Sequence, residues 1–249
     1  MYYIFQPFRI LWKLWLMAWF VNTMIIGYPF MSWLLSSPKR YYLAFKIIRF
    51  WSTSLMFLSG IIVHVKKEEK VPKGPFVICP NHTSYLDILT MFTVFKQYFL
   101  FMGKVEIMTW PLFNVFFSKG MNISVDRASR LGSHEAYERA KEEIDKGHNV
   151  VIFPEGTIPH EAPKMKPFKN GAFKLAMDKN VPIIPVTFVN NWKRLQVGPA
   201  LKNSGGPGLS RVIIHKPVYP ADYAEKGLDA MKKDIFDAIQ KPLIERYGN

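Results

Sequence analysis

The chain has 249 residues, 33 of them basic and 19 acidic, for a net charge of +14, and 49% are hydrophobic. That apolar content excludes a disordered polyampholyte, and the length fits one large domain or one domain with an appendage. The single cysteine, Cys79, excludes an intrachain disulfide and a paired-cysteine metal or redox site.

Residues 1–67 carry eight basic residues, no acidic ones and five of the seven tryptophans. A basic, acid-free, Trp-rich segment is what an interface with anionic lipid selects. Its charge is interleaved with long apolar runs, which favours lipid over nucleic acid as the partner of a basic chain. Leu14 to Leu35 is a run of 22 residues without a charge, containing Asn22, Gly27 and Pro29. The run from Tyr41 to Val65 contains Lys46 and Arg49 and ends in the β-branched cluster Ile61–Val63. Two helices joined near Ser36–Pro38 are expected, lying in or dipping into one leaflet; at least one true span, or a soluble helical hairpin covering an ordinary core, are the alternatives. No small-residue cleavage site is evident, so a cleaved signal peptide is not expected.

Lys66–Gly74 (KKEEKVPKG) reads as a polar connector, giving an expected boundary between a membrane-associated segment, 1–65, and an α/β domain, 66–249. Strands are predicted at Phe76–Cys79, Tyr98–Met102, Asn122–Val125, Asn149–Phe153, Ile183–Val189 and Arg211–His215. Helices are predicted at Ser84–Lys96, Val105–Phe117 (broken or kinked at Pro111), Leu131–Lys146, Phe168–Lys179 and Leu228–Gln240. This alternation predicts βα units on one sheet, an α/β fold with a mixed central sheet flanked by helices. Gly198–Gly208 (GPALKNSGGPG) reads as a mobile loop. A GxSxG elbow, a P-loop, a GxGxxG turn and an HExxH pair are all absent from the sequence.

The segment Phe76–Asp87 reads FVICPNHTSYLD. His82 falls in the turn after an apolar strand, where α/β folds place ligands. Asp87 lies five residues on. The two side chains meet only if His82 precedes the helix and Asp87 sits in its first turn. A neutral imidazole held by a carboxylate takes a proton from an alcohol. Ser84-x-x-Asp87 equally has the form of a capping box, in which Asp87 only satisfies the helix start. Cys79, in the apolar strand, reads as packing and not as a nucleophile.

Asn81–Asp87 (NHTSYLD) resembles the NHxSxxD block of the glycerolipid acyltransferases. Gly120–Arg127 (GMNISVDR), Phe153–Thr157 (FPEGT) and Val181–Val186 (VPIIPV) resemble that family's later blocks, in the same order over about residues 75–190. The resemblance implies an O-acyltransferase of the 1-acylglycerol-3-phosphate type, with His82 as general base and Asp87 as its orienter. The implied donor is a thioester of coenzyme A or acyl carrier protein, a co-substrate, with no cofactor and no metal. Asn81, Ser84, Lys104, Arg127, Glu155, Gly156, Thr157 and Lys169 are the implied substrate-binding set. Lysophosphatidic acid and membrane phospholipid are the implied partners, with no role for nucleic acid. The implied location is the cytoplasmic face of the cell inner membrane. The family's arginine after Glu-Gly-Thr is replaced here by Ile158, and Lys104, Lys164, Lys166 and Lys169 are the candidates to replace its charge. Other acceptors (glycerol 3-phosphate, a lysophospholipid or a lyso-aminolipid) and a silent membrane-bound scaffold are the alternative readings.

Overall fold

The computed structural model describes residues 6–199 and 203–248. Helix α1 (Gln6–Leu35) and helix α2 (Tyr41–Leu58) are joined by a 3₁₀ turn at Pro38–Arg40, as the sequence predicts. Gly27 and Pro29 lie inside α1 without ending it. Strand β1 (Ile61–Lys67) follows. The α/β part continues with β2 (Val77–Pro80), α3 (Leu86–Val94), β3 (Phe99–Lys104), α4 (Asn114–Ser118), β4 (Ile123–Val125), α5 (Arg130–Asp145) and β5 (Asn149–Val151). It closes with α6 (Gly171–Lys179), β6 (Ile183–Phe188), α7 (Asn191–Arg194), β7 (Gly208–Ile214) and α8 (Gly227–Tyr247).

The seven strands form one mixed sheet in the order β1-β7-β6-β2-β5-β3-β4. β6, β2, β5, β3 and β4 are mutually parallel. β7 runs antiparallel to β6, and β1 pairs parallel with β7. Both faces of the sheet are covered. Phe76 and Ile78 of the β2 region join α1, α2 and α3 in one core through Leu34, Leu35, Phe45 and Met91. Val77 and Cys79 point the other way, onto α5, α6 and α8 through Ala140, Phe173 and Ile239. A strand buried on both faces reads as an unbroken apolar run, which is why FVIC shows no alternation.

Two expectations change and a third is met. Lys66 and Lys67 belong to β1, paired with Ile213 and Ile214, so the strand runs through the expected boundary at residue 65 and the connector begins later. The helix expected over 105–117, broken or kinked at Pro111, is broken there: a 3₁₀ turn covers Val105–Thr109, Leu112 has φ +68°, and α4 starts at Asn114. Pro111 cannot donate the hydrogen bond that a continuous helix needs there. Of the expected mobile loop, residues 200–202 lie outside the described residues. The rest is tied down: Gln196 N–H donates to Ser204 O, and Gly206 N–H to Arg194 O.

Candidate active site

The carboxyl ends of the five parallel strands form one edge, and the turns leaving them carry the chemistry. β2 runs into Asn81–Asp87, β5 into Phe153–Thr157, β3 ends in Lys104, β4 precedes Arg127, and β6 runs into Asn190–Asn191. This juxtaposition cannot be obtained from chain order, because β2 neighbours β5 and β6.

His82 and Asp87 meet as the spacing requires, with His82 before α3 and Asp87 in its first turn. The His82 Nδ1 to Asp87 Oδ2 distance is 2.8 Å. Asp87 is fully buried, and its Oδ2 also accepts the N–H groups of Thr83 at 2.6 Å and Ser84 at 2.9 Å. Ser84 Oγ accepts from Leu86 N–H at 3.2 Å. The capping box and the His–Asp pair are therefore one structure: the oxygen that caps α3 is the oxygen that holds the imidazole. With Nδ1–H donated to Asp87, Nε2 carries the lone pair, and among the described residues nothing bonds to it. The ring stacks on Phe153, centroids 4.1 Å apart, and its side chain retains 14% exposure.

The other oxygen of Asp87 is held by Asn191, which the sequence reading passes over. Asn191 Nδ2 donates to Asp87 Oδ1 at 2.8 Å, while its own Oδ1 accepts from Ser210 Oγ at 2.5 Å. Asn191 is fully buried at the end of β6. Adjacent asparagines leaving a strand at the ligand-bearing edge are the signal that was available.

The expected substrate-binding residues divide into two groups. Asn81 is buried with its amide spent on the main chain of Phe188, donating to O at 3.2 Å and accepting from N–H at 2.7 Å. Ser84 donates to Leu195 O at 2.6 Å. Glu155, also buried, accepts His82 N–H at 2.7 Å and Lys166 N–H at 2.8 Å, one on each oxygen. These three side chains brace the turn that carries His82.

The second group is cationic. Gly156 adopts φ +78°, a conformation that suits glycine. A Cβ there would lie 3.2 Å from Arg127 Nη1 and 3.3 Å from Lys169 Nζ, so the two cations converge on its bare α-carbon. Arg127 donates to Gly156 O, and Lys166 Nζ donates to Thr157 Oγ1 at 3.0 Å. Arg127 and Lys169 are exposed; Lys104, half-buried, ends β3 at the same edge, next to Val125 of β4. Arg127 and Lys169 thus stand at Gly156, two residues before Ile158. Cys79 is fully buried, which pushes its thiol well above the ordinary range and leaves it unreactive.

Burial raises the Glu155 carboxyl from its ordinary 4.5 to about 7, against the pull of the two main-chain donors and with the Asp87 carboxylate adding to the rise. Folding thus favours the protonated form, so the native state binds the extra proton between about pH 4.5 and 7. Stability should fall as pH rises through that window. Glu155→Gln should flatten the slope, by up to about 3 kcal/mol across the window. Denaturant melts of both proteins check this; an unchanged slope in the variant assigns the dependence to another group.

A family model for the acyltransferase domain matches residues 62–189. The chain is 31% identical over 202 residues to the chloroplastic 1-acyl-sn-glycerol-3-phosphate acyltransferase LPAT1 of Arabidopsis thaliana, covering 80% of this chain and 54% of that protein. It therefore spans about half the length of that relative. It is 30% identical over 210 residues to the 1-acyl-sn-glycerol-3-phosphate acyltransferase of Saccharomyces cerevisiae, covering 78% of this chain and 68% of the relative. The crystal structure of PlsC, the 1-acyl-sn-glycerophosphate acyltransferase of Thermotoga maritima, shares the fold, with a TM-score of 0.78 at 22% identity over 100% of this chain and 99% of that one. The blocks read from the sequence all fall within the matched region, and the chain belongs to the acyltransferase family.

Proposed function

We propose that the protein transfers a fatty acyl group from a thioester to the sn-2 hydroxyl of 1-acylglycerol 3-phosphate, giving phosphatidic acid. The observation that carries this reading is His82, held through Nδ1 by a buried carboxylate with Nε2 left open, on the edge where Arg127 and Lys169 converge. Nε2 takes the proton of the acceptor hydroxyl as its oxygen attacks the thioester carbonyl. The tetrahedral intermediate collapses, the carbon–sulfur bond breaks, and the imidazolium returns the proton to the departing thiolate. Asp87 stabilises the transient imidazolium. The cations at Gly156 suit the acceptor's phosphate, since a guanidinium binds it bidentately. The names of the relatives support this acceptor. Either coenzyme A or acyl carrier protein supplies a suitable thioester.

The test is phosphatidic acid formation by the purified protein from lysophosphatidic acid with acyl-CoA and, separately, acyl-acyl carrier protein. Product from neither donor, with turnover on another lysolipid, would move the activity to that acceptor. Arg127→Ala should raise the KM for lysophosphatidic acid roughly tenfold or more, the scale of one lost charged hydrogen bond, with little change in the donor's KM. A loss confined to the donor's KM reassigns Arg127 to the thioester.

The reading extends to the membrane. α1 is 30 residues long and, by length and composition, apolar enough to cross a bilayer. It is nonetheless packed on the α/β part toward both ends, through Trp12 and Leu16 beside Ile61 and Leu86, and through Leu34 and Leu35 against the sheet. Its outward residues, among them Phe8, Leu14 and Ile26, are exposed. A helix held along the domain in this way buries its outer side in one leaflet. We place the protein on the cytoplasmic face, with Lys39 and Arg40 on that side. High salt should fail to extract it and detergent should succeed. A Ser37→Cys thiol, against the buried Cys79 background, should resist an impermeant reagent applied outside intact cells; labelling there establishes a hairpin that spans.

A further inference from the structure

Acyl transfer as proposed brings two anions to one base. The acceptor carries a phosphate. The donor's pantetheine arm, on coenzyme A or on a carrier protein, is joined to the rest of the donor through another. The sheet order gives His82 two flanks. β5 and β4, which lead to Gly156 and Arg127, lie on one side of β2, and β6, which leads into α7, lies on the other. Arg127 and Lys169 stand on the first flank.

On the second flank, α7 is tied to the catalytic turn at both ends. Asn191, its first residue, donates to Asp87, and Leu195 O, just past its last, accepts from Ser84 Oγ. Between these ties, Trp192 and Lys193 reach the end of α8. The Trp192 ring meets the Tyr247 ring edge to face, centroids 5.5 Å apart. Lys193 Nζ lies over both, 5.0 Å from the Trp192 ring and 4.4 Å from the Tyr247 ring. Arg194 belongs to the same cluster: burial and the nearby Arg211 lower its pKa, and Tyr247 opposes them.

Three donors of this cluster are buried with no acceptor among the described residues: Trp192 Nε1, Arg194 Nε and the Tyr247 hydroxyl. A buried donor left unpaired is costly, and three side by side are more than packing explains. The charge is one-sided as well. Residues 179–221 contain no aspartate or glutamate. Lys193, Arg194, Arg211 and Arg246 make no ion pair among the described residues, and neither does the exposed Glu245 beside Arg246. An indole N–H, a phenol and a guanidinium together suit a group with several anionic oxygens, such as a phosphate. Tyr247 is the last residue of α8, so its ring turns aside without disturbing a later helical turn and opens the donors to an incoming group.

We propose that the Trp192–Arg194–Tyr247 cluster binds the phosphate of the donor's pantetheine arm, so that the two substrates are held by their phosphates on opposite sides of His82. This rests on the acyl-transfer reading above and names the donor's half of that site. A cluster that only capped α8 would have no use for its indole N–H and phenol O–H.

Trp192→Phe and Tyr247→Phe test it, because each removes one donor and keeps a ring. Loss of an unpaired buried group should leave the melting temperature equal to wild type or higher. In the full chain, each variant should raise the KM for the acyl donor about tenfold, the scale of one hydrogen bond to a charged group, with kcat and the KM for lysophosphatidic acid little changed. Titration calorimetry without acceptor reads the site directly, using coenzyme A, phosphopantetheine, pantetheine, and acyl carrier protein with and without its arm. The phosphate-bearing ligands should bind wild type and weaken about tenfold in each variant. Pantetheine and the armless carrier should bind wild type more weakly and be indifferent to the substitutions. Variant-sensitive binding of coenzyme A alone, or of the armed carrier alone, supports the site and identifies the source of its phosphate. Donor KM and binding unchanged in both variants would overturn the proposal. So would equal affinities for pantetheine and phosphopantetheine, or a rise confined to the acceptor's KM. Variant-sensitive donor binding in a protein that makes no phosphatidic acid would refute the proposed acceptor and leave this site standing.

Discussion

His82→Ala should lower the rate of phosphatidic acid formation by about 10²–10⁴-fold, the usual contribution of a positioned general base. The geometry leaves this ring with one task. Nδ1 is committed to Asp87 at 2.8 Å, one ring face rests on Phe153 with centroids 4.1 Å apart, and Nε2 has no bond among the described residues. The fold has little invested in the ring itself: His82 is held in place by its main-chain N–H on Glu155 at 2.7 Å, which alanine keeps. Removal of the imidazole should therefore leave the melting temperature nearly unchanged while turnover collapses. His82→Gln sharpens the test, because it restores bulk and a hydrogen-bonding group without a basic nitrogen. It should be as inactive as alanine. Turnover in His82→Gln within a few-fold of wild type would remove the base from the mechanism and leave His82 as packing.

The strands of the α/β part are legible in the sequence because both faces of the sheet are covered, so each strand is a short apolar run with abrupt ends. Phe76–Cys79 against the observed Val77–Pro80 is typical of the agreement. The helix–turn–helix at the start is legible for a different reason: charge and proline end its first run at Ser36–Arg40. What is not legible is whatever depends on strand order. Asn191 becomes part of the site only because β6 lies beside β2, and Arg127 reaches Gly156 only because β3 sits between β4 and β5. The roles of Asn81, Ser84 and Glu155 are hidden for the same reason. Their polar side chains look available for substrate in one dimension, yet in the fold each meets a main-chain group from another segment. Strand β1 was foreshadowed only by Ile61–Val63, since an edge strand with exposed Lys66 and Lys67 carries too weak an apolar pattern to show its full length.

Asp87→Asn should be nearly as damaging as loss of the base, on the order of 10³–10⁴-fold in kcat, as expected when an imidazole loses the carboxylate that fixes its tautomer. The carboxylate accepts from five donors. His82 Nδ1, Thr83 N–H and Ser84 N–H converge on Oδ2, while Asn191 Nδ2 and Thr83 Oγ1 reach Oδ1. An amide offers one acceptor oxygen and turns the other position into a donor. If its NH₂ takes the Oδ2 position, it faces two main-chain N–H groups, and His82 can meet it only by accepting at Nδ1, which puts the ring proton on Nε2 and blocks the base. If it takes the Oδ1 position, it faces the NH₂ of Asn191, whose orientation is fixed by the 2.5 Å bond from Ser210. Either arrangement leaves a buried donor without an acceptor, at about 1–3 kcal/mol of stability. A helix cap alone would give the stability loss without the kinetic one. Asn191→Ala separates the two roles, because it spares Oδ2 and the cap while freeing Oδ1. It should reduce kcat with little change in either KM and shift the pH–rate profile that reports His82. Full turnover in Asp87→Asn, with only a lower melting temperature, would make Asp87 a cap and dissolve the pair.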